Sequence, residues 1–433
     1  MPTVAILGGG LAGLSAAAAL GASGYAVDLF EARNFLGGRA TSWPVGEDAE
    51  TIDNCQHILL RCCHNLLDFY KRLGVEGQIR FYPEFYFLEP GGRMSILRRG
   101  LLPAPLHFTE SFLGLKFLSL ADKVGIGRAM LSIIGERKRA DLDSISMLDW
   151  LHEKKQSKRA IENYWRQVLV SAINEELDRM AAAHGFQVFW LSMLADSKSY
   201  EMGIPDVPLR DLYRQDAWGK IGRVQIHPRA AITEIEMENG KVAAVRCGEH
   251  RHTADYYVSA LPFERLAPLG VAAPVFEHSP ITGIHLWFDR PITTLPHATL
   301  LDRTIQWMYN KSGGRYVQIV VSASRSLTEM PRADVIALAV RELTEFFPKV
   351  GRAKLEKAQL IKEVRATFSA LPGLEAKRPK AETAYDNFFL AGDWTRSGWP
   401  ATMEGAVRSG YLAAEAVTRA AGAPRNFLIP DIA

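Results

Sequence analysis

The chain has 433 residues and carries 51 Lys plus Arg against 48 Asp plus Glu, a formal charge of +3. With 48% hydrophobic and 23% charged residues it holds ample core material, which excludes a disordered, collagen-like or disulfide-scaffold chain. The near-balanced charge gives no electrostatic support for nucleic-acid binding, and the four cysteines have neither C-x-x-C nor zinc-like spacing, so no metal site is expected.

Thr3 to Leu7 reads as a short buried strand of a parallel sheet. Gly8-Gly9-Gly10-Leu11-Ala12-Gly13 comes next, then an Ala-rich helix from Leu14 to Ala22 and a second strand from Tyr25 to Phe30. This is G-x-G-x-x-G in the strand–turn–helix setting that gives the motif its meaning. Gly8 permits the tight turn, Gly10 lets a pyrophosphate approach the backbone, and Gly13 lets helix and strand pack closely. The amides at the helix start point at the phosphates. Glu31 closes the second strand, where an acid can bind a ribose hydroxyl. Gly37-Gly38-Arg39 then adds another close backbone approach and a fork-shaped cation for a second phosphate contact. No Lys or Arg precedes Arg33, so the apolar start does not read as a secretory signal. The thiols of Cys55, Cys62, Cys63 and Cys247 are expected to be reduced in a cytosolic compartment.

Residues 80–98 read as an aromatic-rich hairpin around Pro90-Gly91-Gly92. Leu101 to Leu120 is leucine- and phenylalanine-rich, with two early prolines and a second half that suits a helix. It reads equally as a patch dipping into a bilayer surface, with Arg98 and Arg99 near lipid phosphates, or as a buried helix. Helices are expected over Ser146–Leu151, Ile161–Met180 and Ala181–Leu194. Beyond them, Gly222 to Ile226 reads as a strand, and an Asn239-Gly240 turn joins Ile232–Met237 to Val242–Arg246. Asp255–Leu261, Ile281–Asp289, Ile305–Tyr309 and Val317–Ser322 read as further strands, and Pro331–Phe347 as an amphipathic helix. No apolar run of about 18 residues or more suggests a membrane span.

At the far end, Asn387 to Leu390 reads as a strand ending in Gly392-Asp393, with a helix of small-residue spacing after it from Thr402 to Ala421. Gly-Asp at a strand end can bind ribityl hydroxyls. A helix beyond it can aim its positive end at a flavin ring, with Thr402 equally able to serve as its N-cap. The segment Gly392–Ala406 contains neither Cys nor His, so a flavin would be held non-covalently. The glycine fingerprint, Gly37-Gly38-Arg39 and Gly392-Asp393 resemble the flavin-dependent amine oxidase and carotenoid-desaturase superfamily. Asp53-Asn54-Cys55-Gln56-His57-Ile58-Leu59-Leu60 is similar to a segment of bacterial hydroxysqualene dehydroxylases. Trp165–Glu175 and Tyr200–Pro205 resemble that family's central part. Cys55 and Arg61 stand where the family string usually has Gly, which questions the backbone geometry there.

The resemblance implies an α/β fold: a Rossmann-like FAD-binding domain with a mixed-sheet substrate domain and a helical insert. The FAD domain is expected over 1–78, 205–270 and 380–425, and the substrate domain over 79–204 and 271–379, with the insert at about 99–200. Expected FAD contacts are Gly8, Gly10, Leu11, Ala12, Gly13, Glu31, Ala32, Gly38, Arg39, Ala231, Ile232, Gly392, Asp393, Ala401, Thr402 and Met403. The implied reaction is reductive removal of the hydroxyl from hydroxysqualene, giving squalene for hopanoid lipids. A protonated side chain would assist loss of water, with His57 and Asp53 as first candidates, then Glu201 and Glu175. An oxidative carotenoid-type desaturase or amine oxidase of the same superfamily is the alternative, and Trp394 with Trp399 could form an amine oxidase's aromatic pair. A lipid carrier without cofactor is a third reading, opposed by the intact cofactor motifs. The implied partners are an isoprenoid lipid, an unnamed electron donor, a hydroxysqualene-forming synthase and the inner face of the cytoplasmic membrane.

Overall fold

Short strands, apolar and buried at the centre of the sheet and only partly covered at its Val224–Pro228 edge, form a five-stranded parallel sheet in the computed structural model, which describes residues 1–45 and 50–432. Its order is Val224–Pro228, Ala26–Glu31, Thr3–Leu7, Tyr256–Ser259, Phe388–Leu390. The register aligns the strand ends. Leu7 stands level with Phe30 on one side and Ser259 on the other, and Ser259 stands level with Leu390. The turns after all four strands therefore leave the sheet along one carboxyl edge, where open α/β sheets bind ligands.

The helix Leu11–Ala22 is buried from Leu11 to Gly21, sandwiched between that sheet and the last helix, Met403–Ala420. Alanines and glycines make this possible. A Cβ on Gly410 would lie 2.2 Å from Ala12 O, and one on Gly13 would lie 2.0 Å from Gly8 O. Ser15 Oγ donates between the helices, 3.2 Å from Val407 O.

A second, seven-stranded mixed sheet runs Leu355–Phe368, His278–Phe288, Tyr316–Ser322, Trp307–Ser312, His297–Leu300, Glu84–Leu88, Met94–Arg98. Alternation sorts its faces. Val317, Ile319 and Val321 pack with Val335, Ala339 and Leu343 of the helix Arg332–Phe346, while Val320 joins Cys55, Met202, Trp307 and Tyr309 on the opposite side. A three-stranded excursion, Glu234–Glu238, Lys241–Cys247 and His250–His252, leaves and returns to the first sheet around the Asn239-Gly240 turn, both residues at positive φ.

The helical insert differs from the sequence reading in its breaks. The expected helix over Ile161–Met180 is a wide turn at Ile161–Trp165 and a helix Arg166–Ile173. It stops at Asn174, in the left-handed region at φ 61°. There the Asn174 amide donates to Ser279 O and Thr367 Oγ1 and accepts from Ala323 N, so contacts with distant strands outbid helix continuation. Leu101–Leu120 yields only the short helix Thr109–Leu113. The long one, Leu120–Glu136, begins where that stretch ends, behind a Ser119–Asp122 capping box. The strands His297–Leu300 and Leu355–Phe368 have no counterpart among the expected elements. No helix among the described residues is long and apolar enough to cross a membrane.

Candidate active site

The carboxyl edge of the parallel sheet is built to hold a phosphate-bearing ligand. Gly8, at φ 110°, reverses the chain after Leu7, and a Cβ there would meet Ala260 O at 2.9 Å. Gly37 pairs with the glycine turn through Gly37 N to Gly9 O at 2.9 Å, bringing Gly38 beside Gly10. Gly10 and Gly38 thus form a floor without side chains, where a Cβ on Gly10 would find only Gly38 Cα, at 4.0 Å. The helix above begins at Leu11 with Gly10 as an N-cap that has no side-chain hydrogen bond, so its first amides stay available to an anion. Glu31 reaches this loop directly, its carboxylate accepting from Gly9 N and Arg33 N, both at 2.8 Å. Ala32 follows at the same edge. Ile232 is buried in the core with Ile235, Val245 and Tyr257 rather than opening onto the groove, and Ala231 beside it is exposed.

The distant Gly392-Asp393 turn reaches the same groove. Arg39 Nη2 donates to Asp393 Oδ1 at 2.6 Å, and Arg39 Nη1 to Ala366 O at 2.7 Å. Arg39 keeps 46% of its side-chain surface accessible, so its guanidinium stays open to a ligand beside this turn. Gly392 N donates to Ser409 Oγ at 2.8 Å, fixing the turn to the last helix. Thr402 caps that helix, its Oγ1 accepting from Gly405 N at 3.0 Å, with Ala401 and Met403 on either side. A residue the sequence reading missed, Arg378, fastens the turn from behind. It is 2% exposed and donates to Asp393 O at 2.9 Å, to Thr395 O and to Ser397 Oγ. The side-chain-free cradle, the uncapped helix start, the Glu31 carboxylate at the end of the second strand and the Arg39–Asp393 pair together suit a flavin dinucleotide.

The sequence pattern of the flavin containing amine oxidoreductases matches residues 11–418. The chain belongs to this family. It is 26% identical over 455 residues to the 15-cis-phytoene desaturase of Synechococcus elongatus, covering 96% of this chain and 95% of that protein. The zeta-carotene desaturase of Synechocystis is 24% identical over 474 residues, with 96% of each chain covered. Among solved structures, an oxidoreductase from Methanosarcina mazei superposes with a TM-score of 0.71 at 18% identity, over 94% of this chain and 98% of that one. The fold is therefore that of the FAD-dependent amine oxidase superfamily, the cofactor is FAD, and the protein is a flavin-dependent oxidoreductase.

Beside the groove of this flavin oxidoreductase, Asp53–Leu60 runs between the two sheets. Asn54 Nδ2 donates to Arg39 O at 3.1 Å, and a Cβ on Gly283 of the second sheet would lie 3.4 Å from Asn54 O. The structure therefore brings His57 and Asp53 next to the FAD groove. Cys55, the departure from the family string, is buried in the apolar cluster with Trp307 and Tyr309, and burial pushes its thiol up to about 12. Arg61, the other departure, pairs with Glu201 and stacks 3.7 Å over the Phe81 ring.

The ionisation states correct the proton-donor assignments. Burial alone would raise the Asp53 pKa, but Lys311 at 2.9 Å, Leu209 N at 3.0 Å and Ser42 Oγ at 2.7 Å overcome it and hold the carboxyl below its ordinary value. Asp53 is thus a fixed anion with no proton to give. Glu175 is no donor either. It is fully buried, and its carboxylate takes two bonds from Arg325 at 2.8 and 2.7 Å, which outweigh burial and keep it ionised. Burial holds His57 below the ordinary imidazole value, and its Nδ1 lies 2.9 Å from Cys55 O. A carbonyl accepts, so Nδ1 carries the proton and Nε2 is the free acceptor. His57 is neutral at rest rather than a waiting acid. Glu201 remains engaged with Arg61. Sequence reasoning passed over Lys311, whose Nζ donates to Asp53 Oδ2 and, at 2.8 Å, to Gln56 Oε1. It lines a cavity of about 240 Å³ with Tyr82, Tyr309 and Tyr316. Trp394 and Trp399 do not form a pair: Trp394 donates to Leu261 O, and Trp399 donates to Asp431 and packs on Cys62 and Leu191.

Proposed function

We propose that this flavin oxidoreductase removes the hydroxyl from hydroxysqualene to give squalene. The observation that carries the reading is the buried apolar cluster of Cys55, Met202, Trp307, Tyr309 and Val320, whose Cys55 carbonyl lies 2.9 Å from His57 Nδ1, a lining suited to an uncharged isoprenoid chain. A charged amine would need a free carboxylate, and Asp53 and Glu201 on this side are both already paired.

Bound FAD, when reduced, supplies a hydride to the carbon that loses oxygen. The chain's own residues do the rest. His57 Nε2 accepts from the substrate hydroxyl and orients it. Lys311 has three N–H donors, two of them spent on Asp53 and Gln56, and its third supplies the proton on which the allylic hydroxyl leaves as water. Solvent entering the cavity beside it, lined by Tyr309 and Tyr316, returns that proton to the Lys311 amine. The aromatic walls exclude competing water from the cationic carbon. Each turnover consumes two electrons, so a separate donor must rereduce the enzyme, and a hydroxysqualene-forming synthase must supply the substrate.

A second reading, oxidative desaturation of a carotenoid-type polyene, is favoured by the identity to phytoene and zeta-carotene desaturases. Coexpression with a hydroxysqualene-forming synthase, with lipid extraction afterwards, separates the two. Squalene accumulating only when this protein is present supports dehydroxylation; unchanged hydroxysqualene with a flavin-loaded enzyme rejects it. His57→Ala with full FAD content and undiminished turnover would remove His57 from the mechanism.

A further inference from the structure

Large apolar side chains on the surface are concentrated in one place. Leu101 is fully exposed, and Leu102, Leu106 and Leu113 are each about half exposed. They sit on a loop closed at its base by Gly100 N to His107 O and by Arg99 N to Tyr200 OH. The helix Leu120–Glu136 extends this face. Leu120, Val124 and Leu131, spaced four and seven residues apart, share one side of it and are exposed at 72%, 48% and 66%. Lys123 Nζ donates to Leu113 O at 2.6 Å and holds loop and helix together, so the leucines make one continuous patch. Monomeric proteins rarely leave such a patch bare without a partner.

Charge identifies the partner. From Arg98 to Lys138 the chain holds seven Lys and Arg against three Asp and Glu, and one of those acids, Asp122, is buried in the helix cap. Arg98, Arg99, Lys116 and Arg128 are exposed around the leucines. An apolar face ringed by cations fits a bilayer with anionic headgroups, with leucines among the acyl chains and cations at the phosphates. The patch also connects inward. Phe108 meets Tyr200 edge-on at 4.6 Å, Tyr200 meets Phe85 at 6.1 Å, Phe85 meets Trp307 at 6.3 Å, and Trp307 stacks on Tyr309 in the wall beside His57.

We infer that the Leu101–Leu113 loop and the outer face of the Leu120–Glu136 helix dock the protein on an anionic lipid bilayer, with the Phe108–Tyr200–Phe85 row leading from the bilayer to the active site. The use of this row by an isoprenoid rests on the function proposed above; the membrane contact does not.

The test is sedimentation of the FAD-loaded protein with vesicles of phosphatidylethanolamine and phosphatidylglycerol, compared with phosphatidylcholine alone. Wild type partitions onto the anionic vesicles, and salt weakens the binding. Leu101→Asp/Leu102→Asp/Leu106→Asp lowers the partition coefficient about tenfold or more while keeping its flavin. Val275→Asp, at a residue 89% exposed elsewhere, leaves binding unchanged. Equal binding by the triple variant overturns the inference. So does a wild type that ignores vesicles but self-associates through this face in light scattering, which assigns the patch to a second copy. Vesicle binding without hydroxysqualene turnover would refute the proposed reaction and leave the docking surface standing.

Discussion

Two glycines of the fingerprint should respond oppositely to alanine, and the structure gives the size of each effect. Gly10 has an ordinary backbone (φ −78°, ψ 177°), and an added Cβ would meet nothing closer than Gly38 Cα at 4.0 Å. Gly10→Ala should leave the apoprotein as stable as wild type, or more stable by about 0.4–1 kcal/mol through a less flexible unfolded chain. That methyl nevertheless stands on the floor where the pyrophosphate must approach. Hydrogen bonds to a charged group contribute about 1.5–3 kcal/mol each, so losing one should weaken FAD binding roughly ten- to 150-fold. Gly13→Ala places its methyl 2.0 Å from Gly8 O and 3.2 Å from Ala260 Cβ, both parts of the fold itself. It should cost about 1–3 kcal/mol or more in the apoprotein. Thermal unfolding of apoprotein by circular dichroism, with FAD titration by fluorescence, reads both. Stoichiometric FAD in Gly10→Ala at wild-type affinity would show that no phosphate lies on this floor. A Gly10→Ala apoprotein as unstable as Gly13→Ala would show that the floor is part of the packed core.

Asp53→Asn should cost about 2–4 kcal/mol at neutral pH by leaving Lys311 uncompensated, since the two side chains are only 5% and 19% accessible. The folded pKa of Asp53 is depressed, so its contribution is present above the unfolded value and lost as pH falls through the folded one. Denaturant melts across pH 2–7 should therefore show a shallower acid limb in the variant than in wild type, below about pH 4. Arg325→Met leaves the fully buried Glu175 with Arg179 Nε at 3.3 Å as its remaining cation. It should destabilise by about 2–4 kcal/mol and move maximal stability to lower pH, where Glu175 can protonate; denaturant melts over the same pH range read both effects. Arg378→Lys cannot pair with Glu375 through one nitrogen while holding the carbonyls of Asp393 and Thr395 through another, so FAD affinity should fall about tenfold in the same fluorescence titration, with the secondary structure unchanged.

What could be read from the chain was what local chemistry demands. The glycine turn, Glu31 and the Gly392-Asp393 bend each need particular residues at fixed spacing, and a parallel sheet that aligns Leu7, Ser259 and Leu390 then brings them to one edge. Charge states could not be read the same way, because the partners lie far along the chain. Asp53 reads as a proton donor until Lys311 arrives from the second sheet, and Glu175 until Arg325 arrives from the short helix Arg325–Thr328. Arg378 was invisible for the same reason: nothing in its neighbourhood of sequence shows that it clamps carbonyls 15 and 17 residues away. The leucines after Arg99 admitted both a core and a surface reading, since composition does not tell which side of a helix or loop is covered. Asn174 shows the converse, a helix stopped by tertiary bonds against its local pattern.

If the proposed reaction is right, electrons pass from the flavin to an allylic alcohol, and that transfer can be watched in a single turnover. Photoreduced enzyme is mixed anaerobically with hydroxysqualene while flavin absorbance and extracted lipid are followed together. The flavin should reoxidise with one squalene formed per flavin, more slowly in Lys311→Met. A reduced flavin that persists beside hydroxysqualene, while a carotenoid-type polyene bleaches the oxidised enzyme, would reverse the direction of electron flow and rule dehydroxylation out.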